Sequence, residues 1–238
     1  MKIYIPSYKR AGKVKTRETI GTGILAVHEF EAEDYKIKEG GELLIIPDTL
    51  KGNIAKVRNF ILDSANDGDV VMVDDDISNI GFHEKLVQNK MSSEKIQQFL
   101  IDGYRMAKEL GVTLWGLNLQ SDPKFYRDYS PFSLLAPILG TFSCHVSPKL
   151  RYDESLFLNE DYDFFLKTIL KNRKVLRFNK YYYIADHLKS SGGCGAYRLK
   201  DFEIEQGEAM QKRWGSKVFK FDINKSTNGR VNVPLSGI

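Results

Sequence analysis

The sequence predicts an α/β domain, and three observations carry that prediction. Strand and helix signals alternate along most of the 238 residues, with no internal repeat and no long low-complexity linker. Residues 70–73, Val-Val-Met-Val, form a short apolar run typical of a strand covered on both faces. That run ends directly in Asp74, Asp75 and Asp76, and the carboxyl end of a strand in an open α/β sheet is where ligands bind. Three adjacent like charges are costly. They are relieved either as a solvated acidic turn or by a hard divalent cation such as Mg²⁺ or Mn²⁺, which takes oxygen ligands.

The elements follow in order. Lys2–Pro6 is a first strand, which Pro6 and Ser7 end in a loop. A short helix is expected over 13–21, and Leu43–Ile46 reads as a strand closed by Pro47 and Asp48. Asn53 is placed to cap a helix over 54–65, with Ile54, Val57, Ile61, Leu62 and Ala65 on one face and Gly68 beyond it. Ser93 and Glu94 start a longer helix with Ile96, Phe99, Leu100, Met106, Ala107 and Leu110 at its apolar positions; Gly111 marks its stop. Val112–Leu117 and residues 138–146 read as strands. Asn159 is placed to cap a helix reaching about 171. Val175–Phe178 and Tyr181–Ile184 are strand candidates, and 201–213 reads as helix. From about 222 the chain is polar and turn-rich, and is expected to pack as loop.

The length suits one large domain or two small ones, and it is enough to bury a core. No apolar stretch approaches the ~20 residues of a membrane span, and the N-terminus lacks a signal-peptide core. The expectation is a soluble, cytoplasmic protein without a membrane partner. Cys144 and Cys194 make no disulfide framework, and they show no Cys-x-x-Cys spacing for structural zinc. No Gly-x-Ser-x-Gly elbow supports a serine hydrolase. The formal net charge of +4 is mild, but the basic residues are grouped. Lys9, Arg10, Lys13, Lys15 and Arg17 form one group; Lys171, Arg173, Lys174, Arg177, Lys180 and Lys189 form another. Each suits a polyanion or a diphosphate, and each is equally explained as a solvated face.

A second acidic cluster, Asn159-Glu-Asp-Tyr-Asp163, starts a helix. Free N–H groups and the helix dipole favour Glu160 and Asp161 there on structural grounds alone. Functionally, either carboxylate is placed as a general base toward an acceptor hydroxyl; Asp163 lies further into the helix. His187 follows the apolar stretch Tyr181–Asp186, where a neutral imidazole would complete the coordination of a cation held by Asp76. His28, His83 and His145 show no such strand-end setting. The loop from Lys189 to Arg198, rich in glycine and serine, could present N–H groups to phosphates, although it is no P-loop. Phe125, Tyr126, Tyr129 and Phe132 cluster in a Pro-bounded segment that suits base stacking, core packing or a lid.

The ordered set resembles the nucleotide-sugar glycosyltransferases of the GT-A fold. The matching pieces are Ile3-Tyr-Ile-Pro-Ser-Tyr-Lys-Arg10, Lys56-Val-Arg-Asn59, Val71-Met-Val-Asp-Asp-Asp76, Asn159-Glu-Asp-Tyr-Asp163 and His187, spanning roughly residues 2–198. Within that superfamily the chain is most similar to the TET-associated glycosyltransferases of phages, a family thought to add sugars to hydroxymethylated pyrimidines in DNA. The resemblance implies a Rossmann-like, mixed but mainly parallel central sheet flanked by helices. It implies a single domain over 1–221 with a polar tail over 222–238.

The resemblance also implies roles. Pro6, Tyr8, Arg10, Arg58, Asp74 and Asp75 would bind the nucleotide donor. Asp76, Asp74 and His187 would hold Mn²⁺ or Mg²⁺. Asp161, with Glu160, would be catalytic if the reaction inverts the anomeric centre. Lys189 and Arg198 would meet the acceptor. The implied donor is UDP-glucose or UDP-N-acetylglucosamine, and the implied partner is double-stranded DNA carrying 5-hydroxymethylcytosine or 5-hydroxymethyluracil. The setting would be the host cytoplasm if the chain comes from a phage. Other readings stay open: a glycan, lipid or protein acceptor, a nucleotidyltransferase, or a non-catalytic DNA-binding module.

Overall fold

Four strands build one half of a ten-stranded sheet: β1 (Lys2–Pro6), β2 (Ile24–His28), β3 (Leu43–Ile46) and β4 (Val70–Val73). They are mutually parallel, with β1 between β2 and β4, and β3 beyond β2. These relations come from a computed structural model that describes residues 1–66, 68–186, 200–222 and 226–233. The other half holds β5 (Ile77–Glu84), β6 (Val87–Lys90), β7 (Leu114–Asn118), β8 (Phe132–Ser133), β9 (Phe142–His145) and β10 (Leu176–Ala185). The order is β3-β2-β1-β4-β9-β7-β10-β5-β6, with β8 on β10. Only β5, β8 and β9 run against the rest. From β1 the chain builds outward to β2 and β3, then returns to β4 on the other side. The direction switches between β1 and β4, and such a switch opens a crevice at the carboxyl ends of the strands.

Helices cover both faces of the sheet. They are α1 (Thr16–Ile20), α2 (Ala32–Lys38), α3 (Ile54–Ser64), α4 (Ser93–Glu109), α5 (Glu160–Asn172) and α6 (Lys200–Trp214). Val70 and Met72 pack with Ile61, Leu62, Phe165 and Ile169 from α3 and α5. Val71 and Val73 point the other way, toward Ile96 and Leu100 of α4 and toward Trp115. All four β4 residues are buried, which is why the strand reads as an unbroken apolar run. Each such side chain contributes about 1.5–3 kcal/mol relative to exposure.

Several expected elements recur, with local differences. Asn53 caps α3 by accepting from the Lys56 N–H at 3.2 Å. The cap of α4 is Ser92, one residue before the expected start. Asn159 does precede α5, but it is left-handed (φ 65°) and makes no side-chain cap. An N-cap works from extended backbone, and asparagine tolerates the left-handed region instead. The two strand candidates at 175–184 are one bulged strand, β10. Strands β2, β5 and β6 and helix α2 were not legible in the sequence. Residues 226–231, expected as loop, form β12 (Ser226–Val231), which pairs with β11 (Phe219–Asp222) as a separate hairpin. Ladder hydrogen bonds, rather than apolar patterning, make that strand. Among the described residues no helix is long and apolar enough to cross a membrane.

Asp163 locks α6 onto α5. It is fully buried and accepts from Trp214 Nε1 (2.9 Å) and Arg213 (3.0 Å), with Lys167 at 2.7 Å. Its place in the acidic cluster is therefore structural. Asp163→Ala removes the buried acceptor of Trp214 Nε1 and Arg213, although Arg213 keeps Asp153 at 2.7 Å, and is expected to cost about 1–3 kcal/mol and lower the melting temperature by roughly 2–12 °C. Thermal denaturation followed by circular dichroism checks this; an unchanged transition would mean that α6 is held otherwise.

A candidate active site at the carboxyl ends of β1 and β4

The loop after β1 and the turn after β4 meet across the crevice. Pro6 is the last residue of β1 and is buried in register with Ala26 of β2. Ser7 Oγ and Arg10 Nη1 both donate to Asp75 in very short contacts, and Arg10 Nη1 also lies 3.4 Å from Asp76 Oδ2. Tyr35 of α2 braces this loop, bonding Ser7 Oγ at 2.7 Å and accepting from the Arg10 backbone N–H at 2.9 Å. The turn is held from outside by α1: Thr16 Oγ1 donates to the Asp74 carbonyl oxygen and accepts from the Ile77 N–H. The Lys15 backbone N–H donates to the Asp75 carbonyl oxygen at 3.0 Å. Neither Tyr35 nor Thr16 carried a sequence signal, because each acts through a partner many residues away.

The three aspartates divide their work. Burial pushes the Asp75 carboxyl up to about 6, against the pull of Arg10. Burial also opposes the Arg10 charge, but Asp75 and Asp76 together outweigh it and hold the guanidinium protonated. Asp76 lines a cleft of about 420 Å³ with Arg10, Lys13, Lys15, Glu18 and Asp186. Asp186, just past β10, donates its backbone N–H to the Asp76 carbonyl oxygen at 3.1 Å and pairs with Lys15 at 2.6 Å. Of the early basic group, Arg10, Lys13 and Lys15 thus face this cleft, whereas Arg17 bonds the carbonyl oxygens of Glu39 and Gly40.

Asp74 leans the other way, toward Arg58 of α3 (3.6 Å). Arg58 is buried beneath the Tyr152 ring and pairs at 2.9 Å with Glu160, the first residue of α5. Burial works against the Arg58 charge, but Glu160, Tyr152 and Asp74 raise its pKa overall. Burial also drives Glu160 well above the ordinary carboxylate range; Arg58 pulls it back, while Asp161 and Asp74 add to the rise. Asp161 is less buried. Its carboxylate accepts from the Gly140 N–H (3.1 Å) through one oxygen and from the Tyr162 N–H (2.8 Å) through the other.

Beside this lies an aromatic group. Tyr8 makes edge contacts with His28 (5.6 Å) and Phe30 (6.0 Å), and Lys51 lies 4.1 Å over the Phe30 ring. His28 does end a strand, β2, contrary to the expectation; the strand itself was not legible. Nearby, the buried Glu31 accepts from the Lys9 N–H at 2.7 Å. Of the aromatic segment, Tyr126 is core, stacked on His83, whereas Phe125, Tyr129 and Phe132 are exposed. Phe132 borders a second cleft of about 480 Å³, between α4 and β10, with Phe99, Phe178, Lys180 and Tyr181.

His145 ends β9 beside the start of β4, at the opposite edge from the crevice. Burial first, then Arg58 and Arg151, lowers its pKa to about 3. The folded state therefore holds it neutral where an unfolded chain would protonate it. Stability from this group is present above pH 6.5 and is lost as pH falls toward 3. At pH 5 the expected loss is about 2 kcal/mol. Urea titrations at pH 7 and pH 5 should show it, and His145→Gln should flatten that difference; an equal drop in the variant would assign the acid sensitivity elsewhere.

The carboxylate oxygens of Asp74 and Asp76 have the chemistry a hard dication requires. Among the described residues, however, no three His, Cys, Asp or Glu side chains converge as a metal-ligand group. His187, Lys189 and Arg198 lie outside the described residues.

A family model described as TET-Associated Glycosyltransferase matches residues 1–193. The chain belongs to that family. It is a glycosyltransferase, and solved structures agree on its fold. Glucosyl-3-phosphoglycerate synthase from Mycobacterium tuberculosis, solved with Mn²⁺, UDP and phosphoglyceric acid, is 10% identical with a TM-score of 0.52, over 99% of this chain and 87% of that one. The same synthase with Mg²⁺ and UDP gives 0.52 and 10%, over 92% and 81%. S. aureus TarS 1–349 in complex with UDP is 16% identical with a TM-score of 0.47, over 76% of this chain; the glycosyltransferase spans 60% of that chain. No curated protein matches. The glycosyltransferase thus has the GT-A fold, with a large, mainly parallel sheet flanked by helices.

Proposed function

We propose that this glycosyltransferase moves a sugar from UDP-glucose or UDP-N-acetylglucosamine to the hydroxyl of a 5-hydroxymethylpyrimidine in double-stranded DNA. One observation carries the reading: the acidic turn after β4 puts Asp76 on a cleft lined by Arg10, Lys13 and Lys15 and is tied, through Thr141 and Gly140, to the hydrogen-bonded carboxylate of Asp161. UDP and Mn²⁺ or Mg²⁺ in the Mycobacterium synthase support the donor and the cation. The matched family supports the DNA acceptor.

Tyr8, His28 and Phe30 would receive the uracil, and Arg10 would meet the diphosphate. Asp76 and His187 would hold the cation, and Asp74 would join them only by turning away from Arg58. When bound, that cation supplies charge neutralisation at the departing UDP. In an inverting displacement the hydroxyl oxygen attacks the anomeric carbon as its bond to the UDP oxygen breaks. Asp161 takes the hydroxyl proton. Arg58 and Glu160 are committed to each other and position the base rather than reach the phosphates. Lys189 and Arg198 would contact the acceptor, and the exposed Phe132 offers a stacking surface.

The test incubates the protein with UDP-glucose or UDP-N-acetylglucosamine, MnCl₂ and duplex DNA bearing 5-hydroxymethylcytosine, 5-hydroxymethyluracil or unmodified bases. Digested nucleosides are then weighed by mass spectrometry. A hexose or N-acetylhexosamine mass on the hydroxymethylated arms alone supports the assignment. UDP release with no mass on any nucleoside points to another acceptor.

A further inference from the structure

Gly140 lies between the turn after β4 and the first turn of α5. Its N–H donates to Asp161 Oδ2 at 3.1 Å. The next residue, Thr141, accepts the Asp74 backbone N–H through its carbonyl oxygen at 3.0 Å. A two-residue strap therefore ties the turn after β4 to the first turn of α5. The side chain of Arg58 makes a second tie between the same two places, through Asp74 (3.6 Å) and Glu160 (2.9 Å). A Cβ on Gly140 would fall inside the Arg58 guanidinium. Gly140 is not in the left-handed region, so the demand for glycine here is for space, not for backbone conformation.

We propose that Gly140 is a positioning residue: its amide aims the Asp161 carboxylate, and its missing side chain leaves room for Arg58 to set the Asp74–Glu160 spacing. This rests on Asp161 as the base. A displacement of about 1 Å at a reacting group can cost of order a hundredfold in rate without loss of binding. Gly140→Ala keeps the N–H but pushes Arg58 aside. Turnover is expected to fall at least about tenfold, with the UDP dissociation constant measured without MnCl₂, and so without the cation that Asp74 would help to hold, within about threefold of wild type. Arg58→Lys keeps the charge facing Glu160 and removes the planar head that a Cβ would strike. In the Gly140→Ala background it is expected to restore turnover severalfold, a non-additivity that general destabilisation does not produce.

The experiment measures UDP release from UDP-glucose with 5-hydroxymethylcytosine DNA for wild type, Gly140→Ala and the double variant, with UDP calorimetry on each. Wild-type turnover in Gly140→Ala, or UDP binding lost in step with turnover, would overturn the inference. So would a folded double variant with no recovery. A parallel arm needs no reaction. In ¹⁵N-glycine-labelled protein, Asp161→Asn should shift the Gly140 amide resonance more than any other glycine amide, and an unmoved resonance sinks the link. Should wild type show no turnover on this DNA, the acceptor assignment fails while the resonance arm still decides the role of Gly140.

Discussion

Asp161→Asn is expected to lower turnover by about 10²–10⁴-fold while leaving UDP affinity within about threefold. The amide is nearly isosteric, and its oxygen still accepts the Gly140 N–H that now holds Asp161. Removed are the capacity to take a proton from the attacking hydroxyl and the bond from the Tyr162 N–H, which the amide NH₂ cannot accept. The loss therefore falls on the transition state and not on donor binding, which in the proposed function falls to Tyr8, His28, Phe30 and Arg10. Steady-state rates paired with UDP calorimetry separate the two. Equal, small losses in both would remove Asp161 from the chemistry and favour a retaining route, in which no such base is needed. Glu160 does not substitute for it, because its carboxylate is buried against Arg58.

Asp76→Ala is expected to abolish the cation dependence of UDP binding, weakening binding in MnCl₂ by roughly 10–100-fold. That range corresponds to losing one charge-assisted contact worth about 1.5–3 kcal/mol. The fold should survive, because Asp75 keeps its bonds to Ser7 and Arg10 and the turn is still held by Thr16. Calorimetry of UDP with and without MnCl₂ reads the difference directly. If the variant gains as much affinity from the cation as wild type does, Asp76 is not a ligand, and the acidic turn has a structural role only.

Legibility in the sequence followed the range of the interaction. Strand β4 and helix α3 are readable because their causes are local: four apolar residues in a row, and a cap three residues from its N–H. Strand β5 is not, since Gly81 interrupts it, its hairpin partner β6 is polar, and its other partner, Tyr181–Ala185, lies a hundred residues on. The tail strand β12 is polar and exists only as the partner of β11. Within the site, the acidic turn and the start of α5 stand out as local charge clusters. Most of the residues that bind them together, Tyr35, Thr16, Gly140 and Tyr152, have no pattern of their own.

What the sequence determined by itself is the α/β alternation, the position of the acidic turn at a buried strand end, and the carboxylates that open α5. These depend on periodicity and on neighbours a few residues apart, which a linear chain displays. Only the tertiary structure decided how the three aspartates part company: Asp75 to Ser7 and Arg10, Asp76 to the cleft, and Asp74 to Arg58. Adjacent residues on a tight turn point in different directions, and each carboxylate takes the cation or donor that sheet order brings beside it. That order, with β1 next to β4, is set by how apolar faces pack and not by any residue in the turn.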